Sequence, residues 1–567
     1  MYFCAEMVNS VKETALMVAR GLASYGVTDI FSSPGSRNAP MVVALVREPG
    51  LRVRPVVDER SAGFIALGFA SASQRAAALV CTSGTALLNY APAVAEAYYR
   101  KTPLIVISAD RPAMWIGQDD SQTMPQPGAL ANIVKASYHL KGEISDDKER
   151  WLSNRVINEA LQTALTGRKG PVHINISFDE PLTSPGSAVL PAPAFRKIGL
   201  LLPPRKIDPE VAKALSREAM RHNVLIAGGF NPPSAALNCA FAKLARHPSV
   251  VVVADALANL NVRDTLTHPD LFITSPLLKR KNGKPSLLIT FGGSLLSKKL
   301  KQYLRDTDFD EHWHVGENDS LIDSYFSLTR RVEIGEDEFF PRFANSMDYL
   351  AYGKKGAAQQ ELSEYKSLWH EAAFRAEELQ RAQASTQKWS ASTAIHTLLA
   401  TLPAEWNLQL SNGLTPRHAV CGDAARFHRR DCNRGVSGID GSVSTALGAS
   451  LPFKGVTLLI TGDMSMQYDI AALSSALMSP KLKIVVINNG GGGIFRRIQS
   501  TRALPELEKY FTCDTRLPLP ELAKGYGLTY FKATSAAELA EVIPAFIAES
   551  CRAAILEVKT PPEEPTK

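Results

Sequence analysis

The stretch ITGDMSMQYDIAALSSALMSPKLKIVVINNGGGGIF (residues 460–495) decides the reading of the fold. A short apolar run ends in Gly462-Asp463 and a helical stretch follows. A second apolar run, Ile484–Ile487, then ends in Asn488-Asn489 ahead of four glycines. Short apolar strands joined by a helix belong to a parallel sheet covered on both faces. Ligands of such sheets bind at the carboxyl ends of the strands. Neighbouring strand ends would bring Asp463 and Asn489 together. A carboxylate, an amide oxygen and a backbone carbonyl are hard oxygen ligands suited to Mg²⁺ or Mn²⁺. The N–H groups of the glycine-rich turn and of the helix starts suit a phosphate.

Working outward, the same alternation fills the chain. Leu104–Ser108, Val224–Ala227, Val250–Val253, Leu287–Thr290 and Val456–Ile460 are short apolar runs bounded by Gly, Asp, Asn or Pro, with helical stretches between them. GPVHINIS (170–177) and RAAILEVK (552–559) both read as a final strand after a helix, which suggests duplicated domains. The 567 residues exceed the roughly 250–300 that one core supports. Prolines at 181, 185, 191, 193, 203 and 204 mark one linker. Gly353–Gly356 and the polar, charged helical stretch Gln359–Gln387 mark a second. The fold class is therefore α/β, with three doubly wound parallel-sheet domains at 1–185, 200–350 and 385–567.

Composition excludes several classes. With 45% hydrophobic and 21% charged residues, the chain is neither disordered nor fibrous. A net charge of +7 without a basic stripe argues against nucleic acid. Seven scattered cysteines without a Cys-x-x-Cys fit neither a disulfide scaffold nor a zinc site. No apolar run approaches membrane-helix length, and MYFCAEMVNSVKETA does not read as a signal peptide. A reduced, cytoplasmic protein is the expectation.

A second segment, VVDERSAGFIALGFASAS (56–73), places Glu59 before a Gly/Ala-rich helix, and CTSGTALLNYAPAVAEAYY (81–99) follows the next strand. A glutamate at a helix start is ordinarily a favourable dipole interaction. Combined with the 460–495 segment, it resembles the pyrimidine-binding domain of thiamine diphosphate (ThDP) enzymes. In those enzymes one buried glutamate hydrogen-bonds the aminopyrimidine ring and promotes its imino tautomer, a task suited to a carboxyl of raised pKa. The 460–495 segment resembles their diphosphate and metal motif, with Met464 where glycine is usual.

The segments SSPGSRNAP (32–40), SADRP (108–112), DDSQTM (119–124), SNGLTPR (411–417) and NRGVSGIDGSVSTALG (433–448) narrow the resemblance. Together they resemble the 2-succinyl-5-enolpyruvyl-6-hydroxy-3-cyclohexene-1-carboxylate (SEPHCHC) synthase family of menaquinone biosynthesis, over nearly the whole chain. The resemblance implies pyrimidine-binding, central and diphosphate-binding domains, in that order. It implies a homodimer or homotetramer with the cofactor between subunits. It also implies decarboxylation of 2-oxoglutarate on ThDP and addition of the succinyl-semialdehyde carbanion to isochorismate.

Both substrates are dicarboxylates, and planar arginines grip carboxylates bidentately. The family's motif positions carry Arg37, Arg111, Arg417 and Arg434, with Lys298 beside Lys299 in GGSLLSKKL. Ser36, Gln122 and Asn412 add neutral hydrogen bonds. Ile439 matches the bulky residue that bends the cofactor, while Ile494 and Phe495 wall the pocket. Gly462, Asp463, Met464, Ser465, Asn489 and Gly491 belong to the cofactor motif, with Asp463, Asn489 and Gly491 on the metal. Gly413 stands where many relatives have serine. Two other functions compete. An acetohydroxyacid-synthase-like activity would act on monocarboxylates and need fewer arginines. A non-catalytic binding protein would tend to lose Glu59, Asp463 or Asn489. A mildly basic middle domain is also compatible with an acidic feedback metabolite.

Overall fold

The computed structural model describes residues 12–183, 195–203, 205–317, 320–352, 363–384, 387–513 and 515–563. Cys4, residues 184–194 and 204 of the proline-rich linker, and Gly353–Gly356 lie outside them. The described chain forms two compact units. One holds residues up to 202 with 435–457 and 465–482; the other holds 203–434, 458–464 and 483 onward.

The first sheet contains β1 (Asp29–Ser32), β2 (Arg52–Pro55), β3 (Ala77–Cys81), β4 (Leu104–Asp110), β5 (Ser137–Lys141) and β6 (Val172–Ser177). Its order is β2-β1-β3-β4-β6-β5, with every pairing parallel. The middle sheet contains β7 (Val224–Gly228), β8 (Val250–Ala254), β9 (Leu287–Phe291), β10 (Glu311–Val315) and β11 (Arg330–Val332), all parallel, in the order β11-β10-β9-β7-β8. The last contains β12 (Asn407–Leu410), β13 (Arg429–Cys432), β14 (Thr457–Gly462), β15 (Leu482–Asn488), β16 (Thr529–Ala533) and β17 (Ala554–Lys559), in the order β13-β12-β14-β15-β17-β16. The first and last sheets thus share one strand order, and the middle sheet follows it through its first four strands. The strand runs read from sequence all appear, with their ends shifted by no more than two residues.

Each order reverses between its first and third strands. At that switch point the connections leave toward opposite faces and open a crevice at the carboxyl edge. The loops bearing the sequence motifs leave from these strand ends: 32–40 after β1, 81–85 after β3, 411–417 after β12, and Gly462-Asp463 at the end of β14.

The middle sheet is covered on both faces. Phe339, Phe340 and Phe343 of the helix Glu336–Tyr352 pack on one side with Phe241 and Phe291. Tyr365, Leu368 and Trp369 of the helix Glu364–Ala384 pack on the other. The polar helical stretch expected to mark a linker is, where described, a helix that buries an apolar stripe against the middle sheet. Its apolar residues recur at three- and four-residue spacing within a charged background, which masks them from a reading by overall polarity.

In the first unit the helices Glu59–Ser73 and Ser442–Ser450 pack against each other with their backbones nearly touching. A side chain at Gly68 would collide with the Thr445 carbonyl, and one at Gly448 with the Ile65 carbonyl. Each glycine lies over the carbonyl three residues before the other, within IALG (65–68) and TALG (445–448). The contact is reciprocal, as expected where two equivalent helices of a duplicated pair meet.

Candidate active site

In the first unit Glu59 opens its helix. Asp58 caps that helix by accepting the Arg60 N–H at 3.1 Å. Glu59 is half-buried, and burial raises its carboxyl above the usual range, with the Asp58 charge adding to the effect. It lies near enough to Cys81 and Tyr90 that its charge, secondary to burial, helps to raise both. A carboxyl of raised pKa among apolar groups and a phenol is suited to sharing a proton with a ring nitrogen.

Arg37 is buried and donates Nη1 to the Phe178 carbonyl at 3.1 Å. It also pairs with Glu180 at 3.2 Å. Arg111 pairs with Asp120 at 2.9 Å, while its Nε is buried without a hydrogen-bond partner among the described residues. Ser36 and Gln122 are exposed, and Gln122 has φ 60° beside Gly84. Beneath this edge a buried network connects Ser108, His173, Asn175, Asp110 and Gln126. Gln126 accepts the Gly84 N–H at 2.7 Å. Ile439 is half-buried, and its carbonyl accepts the Ser465 hydroxyl at 2.6 Å. Ser465 is thus engaged in holding the Ile439 loop.

In the second unit Asp463 is 2% exposed. Its Oδ1 accepts the Met464 N–H at 2.8 Å. Its Oδ2 accepts the Gly491 N–H at 2.9 Å and the Thr515 hydroxyl at 3.3 Å. Burial pushes this carboxyl up, opposed by the backbone donors of Gly491 and Met464. Asn489 is buried, and its side chain makes no hydrogen bond among the described residues. Among the described residues no three His, Cys, Asp or Glu side chains gather as a metal site. A cation at Asp463 would therefore draw its other ligands from amide and carbonyl oxygens and from the phosphate it accompanies. That donor set fits Mg²⁺ or Mn²⁺ and a diphosphate. Met464 lies against the glycine run: a side chain at Gly492 would approach its Sδ to 3.0 Å. Ile494 and Phe495 begin the short helix after that run, and the Phe495 ring lies 5.8 Å from that of Phe511.

The same unit collects cations at the ends of β12 and β13. Asn412 donates to the Asn433 carbonyl at 2.6 Å and accepts from Arg434 Nη1 at 3.0 Å. The Arg434 Nε is buried without a hydrogen-bond partner among the described residues. Arg417 donates to the Gly413 carbonyl, and burial, then Arg434 and Arg497, lowers its pKa. Gly413 has φ 100°, a conformation that L side chains rarely adopt.

Of the lysines, Lys298 is exposed and Lys299 donates to the Asp270 carbonyl at 3.0 Å. Lys301 is the half-buried one. Its pKa is lowered by burial and then by Arg434. Sequence reading missed Lys301 and Arg497. Lys301 lies three residues beyond Lys298 on the helix Lys298–Arg305, so helical spacing was the available signal.

Residues 12–130 match the family described as thiamine pyrophosphate enzyme, N-terminal TPP binding domain. Residues 209–410 match the middle domain of thiamine pyrophosphate, and 417–558 match the C-terminal TPP binding domain. A 2-succinyl-5-enolpyruvyl-6-hydroxy-3-cyclohexene-1-carboxylate synthase of Porphyromonas gingivalis is 40% identical over 94% of this chain and 92% of its own length. Proteins of the same name from Bacteroides thetaiotaomicron and Cytophaga hutchinsonii are 36% and 34% identical. Each match covers 95% of this chain and 93% and 94%, respectively, of the relative. With its three matched domains and its full-length relatives, the chain belongs to the 2-succinyl-5-enolpyruvyl-6-hydroxy-3-cyclohexene-1-carboxylate synthase family of thiamine diphosphate enzymes.

Proposed function

We propose that the chain, a transferase, decarboxylates 2-oxoglutarate and joins the remaining four-carbon unit to isochorismate, giving SEPHCHC and CO₂ in menaquinone biosynthesis. Thiamine diphosphate, when bound, supplies the electron sink that lets a 2-oxo acid lose CO₂. Glu59 holds the proton exchanged with its pyrimidine ring. Asp463, Asn489 and the Gly491 carbonyl would hold the divalent cation. Gly462, Met464 and Ser465 shape the turn around the diphosphate. Ile439 would support the cofactor, and Ile494 with Phe495 would exclude water from it.

The observation that supports the dicarboxylate reading is that two of the motif arginines, Arg111 and Arg434, are among those whose Nε is buried without a hydrogen-bond partner among the described residues. A buried N–H without an acceptor costs about 1–3 kcal/mol, a cost that a substrate carboxylate would relieve. Arg37 and Arg111 hold Glu180 and Asp120 in this structure. Both are partly exposed ion pairs, which exchange for a substrate carboxylate at little cost. Arg417 and Lys298 complete the cationic set, and Ser36, Gln122 and Asn412 supply neutral hydrogen bonds. The partners are small acids, without nucleic acid or membrane, and the working form is a cytoplasmic homodimer or homotetramer.

The test is isochorismate consumption by purified protein with ThDP, Mg²⁺ and 2-oxoglutarate, omitting each in turn. Consumption should require every component and fall about 10²-fold or more in Glu59→Gln. Pyruvate turnover in place of 2-oxoglutarate would overturn the substrate assignment. Failure to bind ThDP would overturn the site.

A further inference from the structure

Glu96 has no part in the site described above. It lies in the helix Ala91–Tyr99 and is 1% exposed. Its carboxylate points at two consecutive backbone amides. Oε1 accepts the Gly435 N–H at 2.7 Å, and Oε2 accepts the Val436 N–H at 2.7 Å. The loop comes as close as a backbone allows, since any side chain at Gly435 would reach 2.6 Å from the Glu96 carbonyl. Arg100, one turn further along the helix and equally buried, brings its Nε to 4.0 Å from Oε1 and offsets the charge. It also donates to the Ser71 hydroxyl, on the helix that Glu59 begins, at 2.8 Å.

The gripped amides belong to the short loop between Arg434 and Ile439. The far end of that loop is held by the Ser465 hydroxyl on the Ile439 carbonyl. A buried carboxylate needs strong donors, and a loop of Gly, Val and Ser has no packing of its own to fix it. We propose that Glu96 is a positioning residue whose carboxylate fixes this loop, and with it the reach of Arg434 to a substrate carboxylate and of Ile439 to the cofactor. The inference rests on the roles proposed for Arg434 and Ile439.

The experiment compares Glu96→Gln and Val436→Pro with the parent enzyme and with Arg434→Ala. Glu96→Gln replaces one acceptor by a donor facing an N–H. Val436→Pro removes a donor from the loop side at an exposed position, so it carries the test if Glu96→Gln fails to fold. Both should raise KM for the carboxylate substrates by about tenfold to a hundredfold, with a smaller change in kcat. Both should also weaken ThDP binding, read from tryptophan fluorescence without substrate. In an Arg434→Ala background, Glu96→Gln should change KM by less than about threefold, because the two act through one loop.

Unchanged KM and cofactor affinity, with only a lowered melting temperature, would overturn the proposal. So would effects that multiply in the double variant. If the enzyme uses a different acid, the same cycle is run on that substrate. Coupling retained there leaves the loop role standing while the reaction assignment fails. Coupling absent on 2-oxoglutarate and isochorismate removes the loop role alone.

Discussion

Asp463 and Asp469 begin and follow the same short helix and are both buried, yet burial serves different ends in the two. Asp463 keeps lone pairs beside a glycine run and Asn489. Asp469 is spent on Ser444, whose N–H and hydroxyl it accepts at 2.7 and 2.8 Å. Burial pushes the Asp469 carboxyl up to about 7, against the pull of Ser444 and Arg60 and with the help of Asp58. An unfolded aspartate titrates near about 4, so between these values the folded protein holds the extra proton. Stability from this group is then greatest at low pH and falls as pH rises through that window. Asp469→Asn keeps an acceptor for the Ser444 N–H and carries no charge. It should melt higher than the parent at pH 8, with the gap closing toward pH 5. Parallel melting profiles across that range would contradict the assignment. At this scale Glu59, Asp463 and Asn489 were legible because their motifs are local. Glu96 was not: a glutamate in AEAYY reads as a solvated helix face, and its amide partners lie some 340 residues away.

The helices Glu59–Ser73 and Ser442–Ser450 show what small residues do for an element. Gly68 and Gly448 let the two backbones meet, and no rotamer could relieve a methyl placed there, because the obstacle on each side is a carbonyl. Gly68→Ala should cost about 1–3 kcal/mol or more in urea unfolding, despite the better helix propensity of alanine. A gain in stability would show that the helices separate freely. The sequence marked the helix after Glu59 as Gly/Ala-rich, and composition suffices for that. That each glycine covers the carbonyl of the other became visible only once the helices were brought together. The same holds for the helix Glu364–Ala384, whose buried Tyr365 and Trp369 were hidden among charges.

Across the whole molecule, one strand order is used in the first and last sheets and begins the third. The chemistry-bearing loops leave from the switch points that this order creates. The second unit adds a buried arginine that, among the described residues, has no carboxylate partner in hydrogen-bond reach. Arg430 donates Nε to the Ala256 carbonyl at 2.6 Å and Nη1 to the Asn261 side chain at 2.7 Å and the Ala425 carbonyl at 2.8 Å. Burial lowers its pKa to about 10, and Asp255 opposes that shift. Asp255 in turn accepts the Leu296 and Ser297 N–H groups at the start of the lysine-bearing helix. Arg430→Ala would leave several buried carbonyls unpaired, at about 1–3 kcal/mol each. It should lower stability in urea by at least about 3 kcal/mol; a change below about 1 kcal/mol would show that water satisfies these carbonyls instead.

By itself the sequence determined the α/β class, the strand positions, the cofactor motif and the family. Each of these depends on residues close together in the chain, where hydrophobic period and turn chemistry leave a readable pattern. The tertiary structure decided which charges are used and how. It half-buried Lys301 and left Lys298 exposed, left Nε of Arg111 and Arg434 without acceptors among the described residues, and set Glu96 to hold a loop and Asp469 the start of a helix instead of ligands. These outcomes depend on burial and on partners distant in sequence, and a carboxylate or guanidinium carries no local mark of what will lie beside it after folding.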